Sequence, residues 1–182
     1  MIGVTTLGRV SVNGRRTRRI RSIEVVTLLA FHDGWALRDA MQAALFGEGA
    51  ARSSLASLVS RTRQLGFTVV EEDGGYRLVS RVELDVLRVD QLLSQGRVAE
   101  ALEHYRGPFL PGARSPFAEE VRAYLEESLV QAVLAGRNPQ WIAEALGRVG
   151  PEPRLVEALE ELRASGVIVP VARAQLAGAG LK

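Results

Sequence analysis

The sequence predicts an α+β chain: an N-terminal antiparallel sheet leading into helices and a glycine-turned hairpin, then an all-α region. Three observations carry this. Val4-Thr5-Thr6-Leu7-Gly8 and Arg9-Val10-Ser11-Val12 read as short strands turned by Asn13-Gly14. Leu55, Leu58, Val59, Thr62 and Leu65 recur at helical spacing, and Gly66 then hands the chain to two short apolar runs joined by Asp73-Gly74-Gly75. From Glu83 onward the apolar residues follow helical spacing only. With 182 residues and 47% hydrophobic composition there is room for two small domains, expected at 1–81 and 82–182.

A third strand is expected through residues 15–20, where Arg15, Arg16, Arg18, Arg19 and Arg21 crowd together without an acid. Such a run either blunts a sheet edge or contacts phosphate. Ser22 is expected to cap a helix over 23–31, with Ile23, Val26, Leu29 and Ala30 as its apolar stripe and Asp33-Gly34 at its end. Arg19, Arg21 and the free amides near Ser22 could then share one anion. A second helix over 38–46 places Met41, Ala44 and Leu45 in the core and stops at Gly47.

The next helix has one dry side and one basic, hydroxyl-rich side. Ser53, Ser57, Ser60 and Gln64 lie opposite the apolar stripe, flanked by Arg52, Arg61 and Arg63. A helix of this kind leading straight into a hairpin is how a winged helix meets DNA, the helix in the major groove and the hairpin against an adjacent groove or the phosphates. Serine and glutamine can reach base edges, whereas the arginines suit phosphates. Arg77 on the second hairpin strand completes the candidate DNA-binding set. Glu71, Glu72 and Asp73 crowd the hairpin tip, and by sequence only Arg77 offsets them. The segment Ala51-Arg52-Ser53-Ser54-Leu55-Ala56-Ser57-Leu58-Val59-Ser60-Arg61-Thr62-Arg63 with Gly75-Tyr76-Arg77-Leu78 resembles the recognition helix and wing of OmpR-type regulators, and within them the SARP group.

The helical half is expected to open at Leu84-Asp85-Val86, with helices to about Ser94 and over 98–105. Leu92, Leu93, Gly96, Ala99, Ala101, Leu102 and Tyr105 resemble a tetratricopeptide hairpin. A long stripe follows: Phe117, Val121, Tyr124, Leu125, Ser128, Leu129, Ala132 and Val133. Two further helices are expected over 139–149 and 153–164, and 167–182 as a short terminal segment. This half resembles a shortened bacterial transcriptional activator domain. The resemblance implies a regulator that binds double-stranded DNA, with RNA polymerase and a second copy of the chain as candidate partners.

Charge distribution agrees. Residues 1–82 hold 12 Arg against 7 acids, and residues 83–182 hold 11 Lys plus Arg against 14 acids. A basic front half suits a polyanion and an acidic rear half suits protein contacts. Cysteine is absent and histidine is limited to His32 and His104, so thiolate catalysis and Cys-based zinc sites are excluded. Glu100 and His104 share a helix face without further ligands. No nucleophile, base and oxyanion-donor set can be assembled, so no enzyme activity, cofactor or metal is expected. The lack of a leader-like or membrane-spanning apolar run makes the cytoplasm the expected location, with no membrane partner. The competing reading is a protein–protein scaffold whose winged helix has lost DNA, suggested by the acidic wing.

Overall fold

The computed structural model describes residues 1–47 and 52–166; 48–51 and the expected terminal segment 167–182 lie outside the described residues. The chain forms two compact units, one of Met1–Leu87 with Phe109–Arg122, the other of Arg88–Pro108 with the chain from Ala123. This division differs from a single cut after residue 81. The short strand Val82–Leu84 pairs within the first unit, and the later segment from Phe109 belongs there too.

In the first unit, β1 (Ile2–Thr5), β2 (Ser11–Val12) and β3 (Arg15–Arg16) form an antiparallel meander. Asn13 and Gly14 turn it at φ 48° and 76°, the left-handed pair that an Asn-Gly turn supplies. The three strands expected to pair antiparallel do so, and a fourth strand not expected from the sequence makes the sheet mixed. β7 (Val82–Leu84) lies parallel to β1, with Ile2 opposite Val82 and Val4 opposite Leu84. Asp85 fixes this join: its carboxylate accepts from the Thr6 amide at 2.7 Å, the Thr6 hydroxyl at 2.6 Å and the Leu7 amide at 3.1 Å.

Helix α1 (Ile20–Phe31) starts three residues earlier than expected, which corrects two sequence readings. The third strand ends at Arg16, and Ser22 is a buried residue of the first helical turn, its amide bonded to the Arg19 carbonyl. Arg19 occupies the N-cap position without a side-chain cap bond, and Thr17 Oγ1 accepts from the Arg19 amide at 3.1 Å. The Glu24 side chain is fully buried. It accepts from Arg21 Nη1 at 2.6 Å and from Ser115 Oγ at 2.5 Å. Arg21 also donates to the Leu45 carbonyl at 2.7 Å and lies 4.8 Å over the Phe46 ring.

A second sheet forms from β4 (Trp35–Leu37), β5 (Val69–Glu72) and β6 (Gly75–Leu78) in the order β4-β6-β5. Between β4 and β5 the chain makes α2 (Arg38–Phe46) and α3 (Arg52–Arg63). Strand β4 is absent from the sequence reading, three residues being too few to show a period of two. Gly75 explains how closely β6 approaches it: a Cβ there would stand 2.3 Å from the Ala36 carbonyl oxygen.

The second unit is helical. It takes in most of α4 (Asp85–Ser94), then α5 (Val98–His104), the larger part of α6 (Pro116–Gly136), α7 (Pro139–Val149) and α8 (Pro153–Ala164). Val89, Leu92, Val98, Leu102, Tyr105, Leu125, Leu129 and Val133 are buried. Tyr124, expected on the core stripe, is 52% exposed and donates to Asp90 at 2.7 Å. Asn138 caps α7 by accepting from the amides of Gln140 and Trp141, with Pro139 at the first helical position. Arg154 grips Glu127 with two bonds of 2.8 and 2.9 Å. This guanidinium, aided by Gln131, holds the Glu127 carboxyl down to about 2.

Three outcomes follow. Arg21→Ala leaves the buried Glu24 carboxylate without its cation and should cost about 3 kcal/mol, near the low end for a broken buried pair because Arg21 is partly solvated; chemical denaturation reads this directly. Gly75→Ala should cost about 1–3 kcal/mol by overpacking and raise amide exchange along β4 and β6. The Glu127 carboxyl, followed by NMR, should titrate at about 2 in the native chain and move toward about 4.3 in Arg154→Gln. Since folding depresses this carboxyl, the stabilisation it contributes is present above the unfolded value and disappears as pH falls through the folded one.

Candidate nucleic-acid interface

Helix α3 divides along its length as its spacing predicts. Leu55, Leu58, Val59 and Thr62 are buried, packed toward α1, α2 and β5, and Thr62 returns its hydroxyl to the Leu58 carbonyl at 2.9 Å. On the other side Ala56, Ser57, Ser60, Arg61 and Gln64 are exposed. The side chains of Arg52 and Ser53 lie outside the described residues. Arg61 lies along its own helix, Nε 3.3 Å from the Ser57 carbonyl. Arg63 reaches the wing and donates to the Val69 carbonyl at 2.8 Å. Both cations stand in the last turn, where they complement the negative end of the helix. Their presence therefore has a structural reason as well as a candidate functional one.

The wing turns at Asp73 and Gly74, with φ of 50° and 74°. The expectation that Arg77 alone offsets its acids is corrected here. Arg38, at the start of α2, pairs with Glu71, and Arg77 pairs with Glu72. Arg38 also donates its amide to the Gly74 carbonyl at 3.1 Å and lies 5.8 Å from the Tyr76 ring centre. Sequence reasoning missed Arg38 because its partner is 33 residues away and comes near only through the β4–β6 pairing. Among the described residues Asp73 makes no ion pair.

The remaining candidates sit on the other sheet. Arg15 and Arg16 are exposed on β3, and Arg18 and Arg19 are exposed on the segment leading into α1. Arg21 turns away from them into the pair with Glu24. The thirteen candidate positions thus fall into an α3-and-wing group, a first-sheet group and Arg21, which is paired with the buried Glu24. Among the described residues there is no group of three or more His, Asp or Glu able to hold a metal ion, and no helix is long and apolar enough to cross a membrane.

No protein-family model matches the chain. An uncharacterized 47.3 kDa protein in the thcA 5′ region of Rhodococcus erythropolis is 31% identical over 124 residues, 68% of this chain and 28% of that protein. The chain thus spans little more than a quarter of that relative's length. Among solved structures it is similar to Mycobacterium tuberculosis EmbR in complex with low affinity phosphopeptide. That match has a TM-score of 0.51 and 18% identity, covering 98% of this chain and 68% of the other. At this identity the likeness is one of fold: an α+β, EmbR-like winged-helix arrangement with a helical region following.

Proposed function

We propose that this chain is a cytoplasmic DNA-binding transcriptional regulator. Its winged helix contacts promoter DNA, and its helical region serves dimerisation or contact with another protein such as RNA polymerase. The observation that carries this is the uncovered face of α3, where Ser57, Ser60, Arg61 and Gln64 are all exposed while the opposite face is buried in the fold. In this reading α3 enters the major groove. Ser57, Ser60 and Gln64, with Ser53, approach base edges, and Arg52, Arg61 and Arg63 contact phosphates. Arg77 and the first-sheet cations Arg15, Arg16, Arg18 and Arg19 add sequence-independent attraction. Arg21 acts through the fold.

The scaffold reading draws on the arginines already engaged, since Arg77 holds Glu72 and Arg63 holds the Val69 carbonyl. Fluorescence anisotropy on promoter duplexes over a salt series separates the two. A regulator should lose affinity in Arg61→Gln, with the log–log salt slope shallower by about 1. It should bind more tightly when Glu71, Glu72 and Asp73 are replaced by Ala. Affinity indifferent to salt and to both changes would favour the scaffold.

A further inference from the structure

The turn after β1, the edge strand β3 and the start of α1 border an open pocket of about 250 Å³ whose lining includes Gly8, Arg9, Arg16, Thr17, Arg18 and Ile20. No carboxylate lines it. Its three arginines come from different points of the chain and are brought to its wall by local geometry. Gly8 at φ 72° and the Arg9 amide bonded to the Leu7 carbonyl at 2.8 Å form the turn that carries Arg9. The Thr17 amide bonded to the Val10 carbonyl at 3.1 Å brings Arg16 and Arg18 alongside. Pro111 completes the wall, held by the Leu110 amide donating to the Thr6 carbonyl at 2.8 Å.

Among the described residues, Arg9, Arg16 and Arg18 take part in no ion pair. The adjoining start of α1 has neither a side-chain cap bond nor an acid in its first turn. Arginines lining one concavity give it a positive potential that attracts an anion. The pocket is smaller than the roughly 300–1,000 Å³ usual for drug-sized ligands, which suits a single tetrahedral group. Guanidinium forks match phosphate oxygens in geometry and charge.

We propose that this pocket is a phosphoryl-binding site, taking one phosphate group between Arg9, Arg16 and Arg18. It does not depend on α3 reading DNA, and Arg9 is not among the candidate DNA contacts. Two sources share this chemistry: a backbone phosphate of a duplex and a small phosphate-bearing molecule.

Titration of the full chain with inorganic phosphate, followed by calorimetry and thermal shift against chloride at matched ionic strength, tests it. We expect saturable binding of one phosphate, weakened at least tenfold in Arg9→Gln/Arg18→Gln, with the variant's circular dichroism and phosphate-free Tm unchanged. Should those two properties change, Arg16→Gln alone is the second variant, and the same loss is expected of it. Stabilisation by phosphate no greater than by chloride, or equal binding by a folded variant, overturns the site. Duplex anisotropy then identifies the source. Competition by phosphate beyond matched chloride, with a shallower salt slope in Arg9→Gln, assigns the duplex backbone. Phosphate binding without either effect assigns a small molecule. A chain that binds phosphate and no duplex overturns the regulator reading while this site stands.

Discussion

A carboxylate sealed from water sets the terms for the first unit. Glu24 is tolerable in the core only because Arg21 and Ser115 both donate to it, since an unpaired buried charge costs several kcal/mol. Those donors come from different parts of the chain: one from the first turn of α1, the other from just before α6. Arg21 extends the bond to the end of α2 through the Leu45 carbonyl. Edge-on rings continue the same junction, with Phe31 and Phe109 each 6.0 Å from Phe117. A segment displaced by one residue would leave the carboxylate with one donor fewer. The polar cluster therefore selects one packing of 109–122 on α1 more than it adds to stability. Since α2, α3, β4 and β6 all pack on α1, the bearing of the wing and of the exposed helix face follows from that choice.

The wing shows how surface electrostatics differ from this. Arg38–Glu71 and Arg77–Glu72 are exposed pairs, and such pairs are worth about 0–1 kcal/mol each. The hairpin is held by its backbone ladders more than by these pairs. Glu71, Glu72 and Asp73 against Arg38 and Arg77 leave the tip with one carboxylate in excess, while the last turn of α3 carries Arg61 and Arg63. A polyanion near both would be drawn to the helix first, and the wing would gain little by following. Charge on this unit is thus uneven, negative at the hairpin tip and positive at the end of α3.

What was legible in the sequence was local. The bounds of α2, α7 and α8 agree with expectation because each has a marker at its edge: Gly47 after the first, Asn138-Pro139 before the second, Pro153 at the start of the third. The two faces of α3 were legible because a period of 3.6 needs only one helix. Strands β4 and β7 were not, since three residues reveal no alternation and their meaning lies in partners about 40 and 80 residues away. Ser22 misled for a related reason. A serine before an apolar run reads as a cap, yet here Thr17 turns the backbone earlier and Ser22 falls on the buried side. Engagement of Arg38 and Arg63 was equally hidden, because Glu71 and the Val69 carbonyl become their partners only in three dimensions. Arg21 and Glu24, by contrast, are spaced i,i+3 and became readable as a pair once α1 was known to begin at Ile20.

The arginine run near the N-terminus carries the most general consequence. Read along the chain, Arg15 to Arg21 is one block of positive charge. In space it is cut between Arg19 and Arg21, because the helix begins at Ile20 and the next arginine pairs with the buried carboxylate of Glu24. Meanwhile Arg9, outside the block, joins Arg16 and Arg18 around one pocket, because the β2–β3 pairing folds the chain back past the turn that carries it. Like charges adjacent in sequence were separated, and ones apart in sequence were gathered. Among the described residues Arg9, Arg16 and Arg18 make no ion pair, and the backbone bonds at Leu7, Val10 and Thr6 hold the segments that carry them. Where the backbone already carries arginines to one concavity, an arriving anion would gain attraction without the backbone having to reorganise.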